Sequence, residues 1–320
     1  MSIMNKATVV KHTGSHYLLT RLPQWSLFPA VLRGKIRLKG SSSSNPVAVG
    51  DEVTYEFEPS DASAMPTPEN PAVIREVLPR RNYMIRRSTN LSRQSHVIAA
   101  NLDRAFIVVT MDFPQVKLPF LDRLLVTCEV YGIPAVIVVN KVDLCTSPEL
   151  RRRLEEFRAV YSGAGYGVME VSALTGEGVD ALREACRDRL SLFSGVSGVG
   201  KSSLIKALDP SLDPKTGEIS EAHLQGKHTT TFYEMYRLAS GGCIIDTPGI
   251  RGFGLVDLSR EEIALYFPEM LKAASGCRFT PCTHTHEPGC AVKAAVEAGE
   301  ISLSRYESYL GMLDEEGKYR

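Results

Sequence analysis

A stretch of eight residues has the types and the spacing that bind phosphate groups. Gly195 to Ser202 fits the pattern G-x-x-x-x-G-K-S, follows the apolar run LSLF and precedes the helix-forming run SSLIKAL. Glycines let backbone N–H groups wrap around phosphate oxygens, and the N-terminus of the following helix adds positive potential. Lys201 is expected to reach the β- and γ-phosphates of a nucleotide, and Ser202 to bind Mg²⁺. The predicted phosphate-binding residues are Gly195, Val196, Ser197, Gly198, Val199, Gly200, Lys201, Ser202 and Ser203.

Two further segments downstream are predicted to face the phosphates. The sequence CIIDTPG places Asp246 and Gly249 at the end of an apolar strand. A carboxylate at that point can hold Mg²⁺ through water, and a glycine N–H can sense the γ-phosphate. Between the two motifs lies GKHTTTF, at 226–232. One of its threonines is expected to bind Mg²⁺ when the γ-phosphate is present.

Residues upstream of the phosphate loop predict a guanine-binding site. The tetrad Asn140, Lys141, Val142 and Asp143 ends the apolar run AVIVV, and Ser172 and Ala173 follow another short strand. The carboxylate of Asp143 can accept hydrogen bonds from guanine N1–H and N2–H₂, which adenine does not offer. Lys141 can pack along the base, and a backbone N–H near Ala173 can meet guanine O6. The sequence therefore predicts GTP rather than ATP.

A compact group of cysteines and a histidine near the C-terminus predicts a metal site. Cys277, Cys282, His284 and Cys290 follow the spacing C-x4-C-x-H-x5-C. Three thiolates and one imidazole make a closed tetrahedral site, which is typical of structural zinc. His286 is an alternative ligand on sequence grounds. The remaining cysteines lie in apolar segments and are expected to be reduced and buried: Cys128, Cys145, Cys186 and Cys243.

The elements that must position these residues form three blocks. Up to about residue 80, five short alternating runs predict the strands of a small barrel: ATVVKH, HYLLTR, AVLRGKIRLK, DEVTYEFE and AVIREVL. From about residue 101, apolar strands alternate with predicted helices at 120–131, 147–161 and 179–190, which is typical of a doubly wound α/β sheet. After about residue 256, acidic helices flank the cysteine cluster. We therefore predict domains at 1–80, 81–255 and 256–320.

The order of the motifs is rotated relative to an ordinary GTPase. The base-reading tetrad comes first, then the serine and alanine, the phosphate loop, the threonines and D-x-x-G. This order indicates a circular permutation. Together with the GKHTTT segment and the cysteine signature, it resembles the bacterial family known as ribosome small-subunit-dependent GTPase A, the RsgA, YjeQ and YloQ type. The resemblance runs nearly from end to end.

The resemblance implies a fold and a set of roles. It implies an N-terminal OB-fold, a permuted GTPase domain and a C-terminal zinc module, with one zinc ion per chain held by the set that includes His284. It also implies that Thr230 binds Mg²⁺, with Thr231 as the alternative. Many GTPases place a glutamine after D-x-x-G, but Ile250 stands there and cannot form a side-chain hydrogen bond. His228 resembles the histidine proposed for this catalytic role, beside Lys201 and Gly249; the alternative is that it only packs or contacts the ribosome.

Charge is spread unevenly along a chain whose formal net charge is zero. Residues 1–93 contain 13 Lys and Arg against 7 Asp and Glu. A basic end on a neutral chain suggests contact with a polyanion, although a solvated basic face is the alternative. The basic residues form two groups, one on alternate positions of a predicted strand and one at the domain junction: Lys35, Arg37 and Lys39, and Arg80, Arg81, Arg86, Arg87 and Arg93.

The combined interpretation is a GTPase that acts on the maturing small ribosomal subunit, binds its rRNA and is stimulated by it. An alternative is a metabolic or RNA-modifying enzyme that uses GTP for energy, but no second group of acid, base or nucleophile is evident. A second alternative is an RNA-binding scaffold with an inactive nucleotide pocket. No apolar run approaches the roughly 20 residues of a membrane span, and the N-terminus lacks a signal-peptide core. We expect a cytoplasmic, monomeric protein.

Overall fold

The first five strands of the chain close into a small barrel. The computed structural model describes residues 5–13, 16–32, 46–58, 64–87, 95–212, 233–247 and 258–318. The barrel strands are β1 (Asn5–Thr13), β2 (His16–Arg21), β3 (Ser26–Leu32), β4 (Glu52–Glu56) and β5 (Ala72–Val77). They pair in the order β1-β2-β3-β5-β4, and β4 pairs back to β1. The predicted five-stranded barrel is confirmed.

Alternating apolar residues form the interior of this barrel. Val9, Leu19, Phe28 and Ile74 are each at most 2% exposed and pack in one cluster. The third strand begins at Ser26 rather than at the predicted Ala30, because its pairing with β2 starts directly after the intervening turn. The second half of that predicted strand, with Lys35, Arg37 and Lys39, lies outside the described residues.

A hairpin that was not predicted joins the barrel to the rest of the chain. β6 (Tyr83–Arg87) pairs antiparallel with β7 (Ser95–Ala100). The second strand also contacts the barrel, because the amide of Ala100 donates to the carbonyl of Val49 at 2.9 Å. Beside it, the guanidinium of Arg80 makes hydrogen bonds of 2.6 and 2.7 Å to the buried carboxylate of Asp51. Arg80, which the sequence analysis grouped with other basic residues, therefore forms an internal ion pair with Asp51.

The central domain is a six-stranded sheet with helices on both faces. Its strands are β8 (Arg104–Val109), β9 (Ala135–Val139), β10 (Gly167–Glu170), β11 (Leu190–Ser194), β12 (Glu234–Arg237) and β13 (Cys243–Asp246). They lie in the order β10-β9-β8-β11-β13-β12, and all neighbours are parallel except β12 and β13. Strands buried on both faces explain the continuous runs of Val and Ile. The predicted doubly wound sheet is confirmed.

In the part of the domain that the structure describes, four helices cover this sheet. They are α1 (Leu118–Val130), α2 (Pro148–Gly163), α3 (Val179–Cys186) and α4 (Lys201–Leu208). α1 and α2 pack on one face and α3 and α4 on the other. The prediction that the third helix continues to residue 190 was wrong: it ends at Cys186. Asp188 adopts a left-handed conformation with φ of 54°, which turns the chain into β11.

The C-terminal part is helical and packs against the central domain. It contains α5 (Arg260–Ile263), α6 (Pro268–Ala274), α7 (Ala291–Glu297) and α8 (Leu303–Lys318). Phe267, Met270 and Tyr309 form a core that also includes Val126 of α1. The loop between α6 and α7 carries the cysteine cluster.

The barrel and the central sheet are joined along one strand. β1 pairs antiparallel with β12 at Lys11 and Glu234, whose side chains form an ion pair of 2.7 Å. The two sheets therefore form one continuous eleven-stranded arrangement. In the described parts of the chain, no helix combines the length and apolarity needed to cross a bilayer.

Candidate functional site

The predicted phosphate loop connects the end of β11 to the start of α4. Gly200 has a φ of 90°, and a Cβ atom there would lie 2.4 Å from Nδ2 of Asn140. At Gly195, a Cβ atom would lie 2.4 Å from the carbonyl oxygen of Val108. Both positions require glycine, because backbone or side-chain atoms already occupy the space of a Cβ. The spacing of glycines in the sequence thus reflects real steric limits in the loop.

Lys201 and Asp246 face each other beside this loop. The ammonium of Lys201 donates to the carbonyls of Gly195 and Val196, at 2.8 and 3.1 Å. Burial lowers the pKa of Lys201, while the Asp246 carboxylate opposes that change. Burial likewise raises the pKa of Asp246, and Lys201 opposes it. Oδ1 of Asp246 is buried without a hydrogen-bond partner in the described structure, so this oxygen is available to a water or a cation.

Asn140 joins the phosphate loop to the predicted base-binding segment. Its Nδ2 donates to the carbonyl of Val199 at 2.8 Å, and its Oδ1 accepts a hydrogen bond from the amide of Ala173 at 3.1 Å. The side chain is almost fully buried, so both bonds are shielded from water. Three segments predicted separately from the sequence are therefore held together by one carboxamide.

Asp143 and Lys141 are oriented by the same segments. The hydroxyl of Ser172 donates to Oδ1 of Asp143 at 2.5 Å. The ammonium of Lys141 donates to the carbonyls of Gly198 and Phe113, at 2.8 and 3.0 Å. Lys141 follows β9 in a left-handed conformation with φ of 62°, and its side chain reaches the phosphate loop at Gly198. The carboxylate of Asp143, which is predicted to bind guanine, is thus held by Ser172. Lys141 connects the base-binding tetrad to the phosphate loop.

The four predicted metal ligands form one cluster. The ligand atoms of Cys277, Cys282, His284 and Cys290 all lie within 4.8 Å of one another. Nδ1 of His284 is 3.3 Å from Sγ of Cys290 and 3.6 Å from Sγ of Cys277. A donor set of three thiols and one imidazole, brought this close together, fits a tetrahedral metal ion. The cluster could therefore hold a metal ion.

His284 rather than His286 belongs to this cluster. His284 is 3% exposed, and burial lowers its pKa, although nearby Glu287 opposes the change; a neutral imidazole is the form that binds metals. His286 is exposed and lies within 2.9 Å of the hydroxyl of Thr285. Glu287, which sequence reasoning missed, accepts hydrogen bonds from the amide and hydroxyl of Thr283 at 2.7 and 2.6 Å. These hydrogen bonds stabilise the loop between His284 and Cys290.

Several predicted site residues belong to segments that the structure does not describe. His228, Thr230, Thr231, Gly249 and Ile250 lie outside the described residues. The same holds for Arg93 and for the side chains of Arg86 and Arg87. Among the placed residues, Val142 begins a short 3-10 turn after Lys141, and Ser202 and Ser203 lie in the first turn of α4.

The fold and the site together define a circularly permuted P-loop GTPase. The phosphate loop follows β11, whereas the base-reading tetrad follows β9 earlier in the chain, and both lie at the carboxyl ends of parallel strands of one sheet. The sequence pattern of the RsgA GTPase family matches residues 77–256. The chain belongs to that family, as the resemblance of its motifs predicted, and it is a GTPase.

Similar proteins match over almost the whole chain. A protein of Bacteroides fragilis (strain ATCC 25285) named small ribosomal subunit biogenesis GTPase RsgA is 50% identical over 317 residues, which cover 98% of this chain and 99% of the relative. A protein of the same name from Porphyromonas gingivalis (strain ATCC 33277) is 48% identical, covering 98% and 97%.

Two solved structures share the complete fold. The crystal structure of YjeQ from Thermotoga maritima matches with a TM-score of 0.79 and 32% identity, covering 99% of this chain and all of that one. The structure of YloQ, described as a circularly permuted GTPase, matches with a TM-score of 0.74 and 27% identity, covering 99% and 96%. These matches confirm the predicted architecture of barrel, permuted GTPase domain and C-terminal helical module.

Proposed function

We propose that this chain is a GTP-hydrolysing assembly factor for late maturation of the small ribosomal subunit, and that the subunit stimulates its GTPase activity. The names of its relatives support the ribosomal role. The observation that carries the nucleotide assignment is the side chain of Asn140, which joins the phosphate loop to the base-binding segment. The division at 1–80, 81–255 and 256–320, a cytoplasmic location and a monomeric state belong to the same proposal.

In this proposal each part of the site has a defined task. Asp143 accepts hydrogen bonds from guanine and Ser172 holds its carboxylate, while the amide of Ala173 bonds to Asn140 and so keeps this segment beside the base site. The amides of residues 195–203 bind the phosphates, with Lys201 supplying positive charge. The specificity for guanine follows because another base would leave the Asp143 carboxylate unpaired.

Mg²⁺ fits the residues beside the phosphate loop. Oδ1 of Asp246 is buried and unpartnered among the described residues, and Ser202 lies in the first turn of α4. Mg²⁺, when bound, neutralises charge that develops on the phosphate oxygens. Ser202 and Thr230 are the proposed ligands, with Asp246 acting through water. His228 and Gly249 complete the proposed catalytic set beside Lys201.

Zinc is the metal that best fits the cysteine cluster. Three thiolates and a neutral imidazole are the ligands of closed structural zinc sites, which keep no open position for substrate. We therefore assign one structural zinc ion per chain to Cys277, Cys282, His284 and Cys290. Its role is to hold the loop between α6 and α7, rather than to take part in hydrolysis.

The proposed function is tested by turnover and by pelleting with purified small subunits. GTP hydrolysis should rise when subunits are added, and His228→Ala should lower the stimulated rate. Binding to subunits should weaken steeply with salt, because contacts to rRNA phosphates release counterions. It should be tighter with a non-hydrolysable GTP analogue than with GDP. Equal turnover with and without subunits would refute the proposal.

A further inference from the structure

A buried ion network joins α8 to the GTPase domain. The guanidinium of Arg305 makes a 2.7 Å contact with Asp122 of α1 and a 2.7 Å contact with Glu269 of α6. The side chains of Arg305 and Asp122 are 1% and 0% exposed. Breaking such a buried pair leaves an uncompensated charge in the protein interior, which strongly resists separation of the two helices.

Aromatic rings shield this ion network from water. The guanidinium of Arg305 lies 4.6 Å from the ring centroid of Phe267 and 5.7 Å from that of Tyr161. The hydroxyl of Tyr161 donates to the same Asp122 oxygen that contacts Arg305, at 2.8 Å. Because the low dielectric strengthens each contact, the network fixes the positions of α1, α2 and α8 relative to one another.

The same end of α8 holds the metal-binding loop. The hydroxyl of Tyr306 donates to the carbonyl of His284 at 2.6 Å, and the hydroxyl of Tyr309 donates to the carbonyl of Thr283 at 2.5 Å. Tyr309 is four residues after Arg305, so both side chains lie on one face of the helix. One turn of α8 therefore contacts both the metal-binding loop and Asp122.

The start of α1 borders the phosphate loop. A cavity of about 490 Å³ lies between them, lined by residues that include Pro114 and Phe120 on one side and Gly195 and Val196 on the other. A Cβ atom at Gly198 would lie 3.5 Å from Pro114. The carbonyl of Phe113 also accepts the hydrogen bond from Lys141. The segment that leads into α1 is therefore bonded to Lys141 and adjoins the phosphate loop.

We infer that Asp122 and Arg305 are positioning residues that couple the metal-binding loop to the nucleotide site through α1. Loss of the metal frees the loop, removes the constraint on α8 and loosens the Arg305 network. α1 and the segment before it then lose their fixed position beside the phosphate loop. Coupling between two sites is reciprocal, so bound nucleotide must favour metal binding by the same factor. The inference rests on the proposed binding of zinc and of guanine nucleotide, and on no other part of that proposal.

The first test uses the unaltered full chain. The affinity for a fluorescent GDP analogue is measured with zinc bound and after removal of zinc by a chelator, and zinc affinity is measured with and without GDP. We expect zinc removal to weaken GDP binding by about fivefold or more, with an equal factor in the reciprocal titration. Unchanged GDP affinity would overturn the inference.

Hydrogen exchange gives a readout independent of ligand affinity. Zinc removal should accelerate exchange of the amides of α1, whereas α3, which packs on the opposite face of the sheet, should stay protected. Equal acceleration in both helices would indicate global loosening and would contradict a path through α1.

Variants separate coupling from simple stabilisation. Arg305→Lys keeps the charge but cannot contact two carboxylates in the planar geometry of arginine, and Tyr309→Phe removes a single hydroxyl. Each should still bind zinc, should bind GDP with the lower affinity of the zinc-free chain, and should reduce the coupling factor toward one. The matched control is Arg158→Lys, which alters an exposed pair with Glu170 and should leave the factor unchanged. Full coupling in both Arg305→Lys and Tyr309→Phe would refute the role of the network.

These outcomes distinguish the inference from the proposed function. A chain that binds zinc and GDP without any coupling refutes the inference and leaves the proposed function intact. A chain that binds neither ligand refutes both.

Discussion

The side chain of Asn140 donates a hydrogen bond of 2.8 Å to the carbonyl of Val199, which lies 59 residues later in the sequence. The same carboxamide accepts a hydrogen bond from Ala173. In a permuted chain the base-reading tetrad precedes the phosphate loop and lies far from it in sequence. This hydrogen bond shows that the two motifs are nevertheless adjacent in the folded protein. Asn140 is thus a structural link between two halves of the nucleotide site.

Asn140→Ala should weaken the binding of GTP and GDP alike by about tenfold, because leaving two buried backbone groups unsatisfied costs about 1 to 3 kcal/mol. Titration with a fluorescent GDP analogue measures this loss. Asn70→Ala is the control, since Asn70 is exposed and its side-chain amide donates to the nearby carbonyl of Glu58, far from the nucleotide site. Equal nucleotide affinity in the Asn140 variant and the wild type would contradict the linking role.

Asp143→Asn should exchange guanine for xanthine recognition. An asparagine at this position cannot accept both hydrogen bonds of guanine, whereas xanthine presents an oxygen in place of the amino group. We expect GTP affinity to fall at least tenfold and XTP affinity to exceed it, as measured by competition against a fluorescent nucleotide. If GTP remains the preferred ligand, Asp143 does not read the base.

Asp246→Asn and Ser202→Ala should abolish most Mg²⁺-dependent turnover. Asp246 presents a buried carboxylate oxygen that has no partner in the described residues, and Ser202 is the proposed direct ligand. We expect at least a hundredfold loss in kcat, about 2.7 kcal/mol of transition-state stabilisation, with or without ribosomal subunits. Ser162→Ala, an exposed change in α2, should leave turnover unaltered. Normal turnover in either site variant would remove that residue from the metal site.

Removal of one ligand should empty the cysteine cluster. The cluster should hold about one zinc ion per chain, and Cys282→Ser should lose it, because a structural site needs all four ligands. Elemental analysis of the purified variants makes this measurement. His286→Ala should keep its zinc and His284→Ala should not. The reverse result for the two histidines would replace His284 in the ligand set.

Arg80 and Arg81 should behave differently although they are neighbours. Arg80→Ala leaves the buried carboxylate of Asp51 without an opposite charge, although the amide of Ala48 still donates to it, and should cost about 3 to 5 kcal/mol of unfolding free energy. Arg81 is 63% exposed and pairs with Asp103 at the surface, so Arg81→Ala should cost less than about 1 kcal/mol. Thermal and urea unfolding measure both values. Equal destabilisation would mean that the junction does not depend on the buried pair.

The sequence predicted those features that local pattern controls. The alternation of HYLLTR predicts β2 with its observed bounds, and the glycines around Lys201 mark the loop where backbone atoms crowd any Cβ. The ligand cluster was predictable because all four residues lie within one short segment. Each of these signals is contained in a few neighbouring residues.

Features that depend on distant pairing were not predictable. Arg305 lies in a helix that appears polar in sequence, and its partner Asp122 is 183 residues away. Nothing near either residue indicates that both are buried. The β6–β7 hairpin was missed for a related reason, since its strands are defined by pairing with each other and by contact with the barrel near Val49.

The pairing of β1 with β12 also bears on how this chain avoids aggregation. An open strand at the side of a sheet offers unpaired N–H and C=O groups to any neighbouring chain. Here β12 has β1 as its neighbour, pairing at Lys11 and Glu234, and the sheet of β1 then closes on itself as a barrel. The two outer strands of the central sheet, β10 and β12, are each only four residues long, which makes them poor templates for a further strand. The barrel thus covers part of an edge that short strand length already protects.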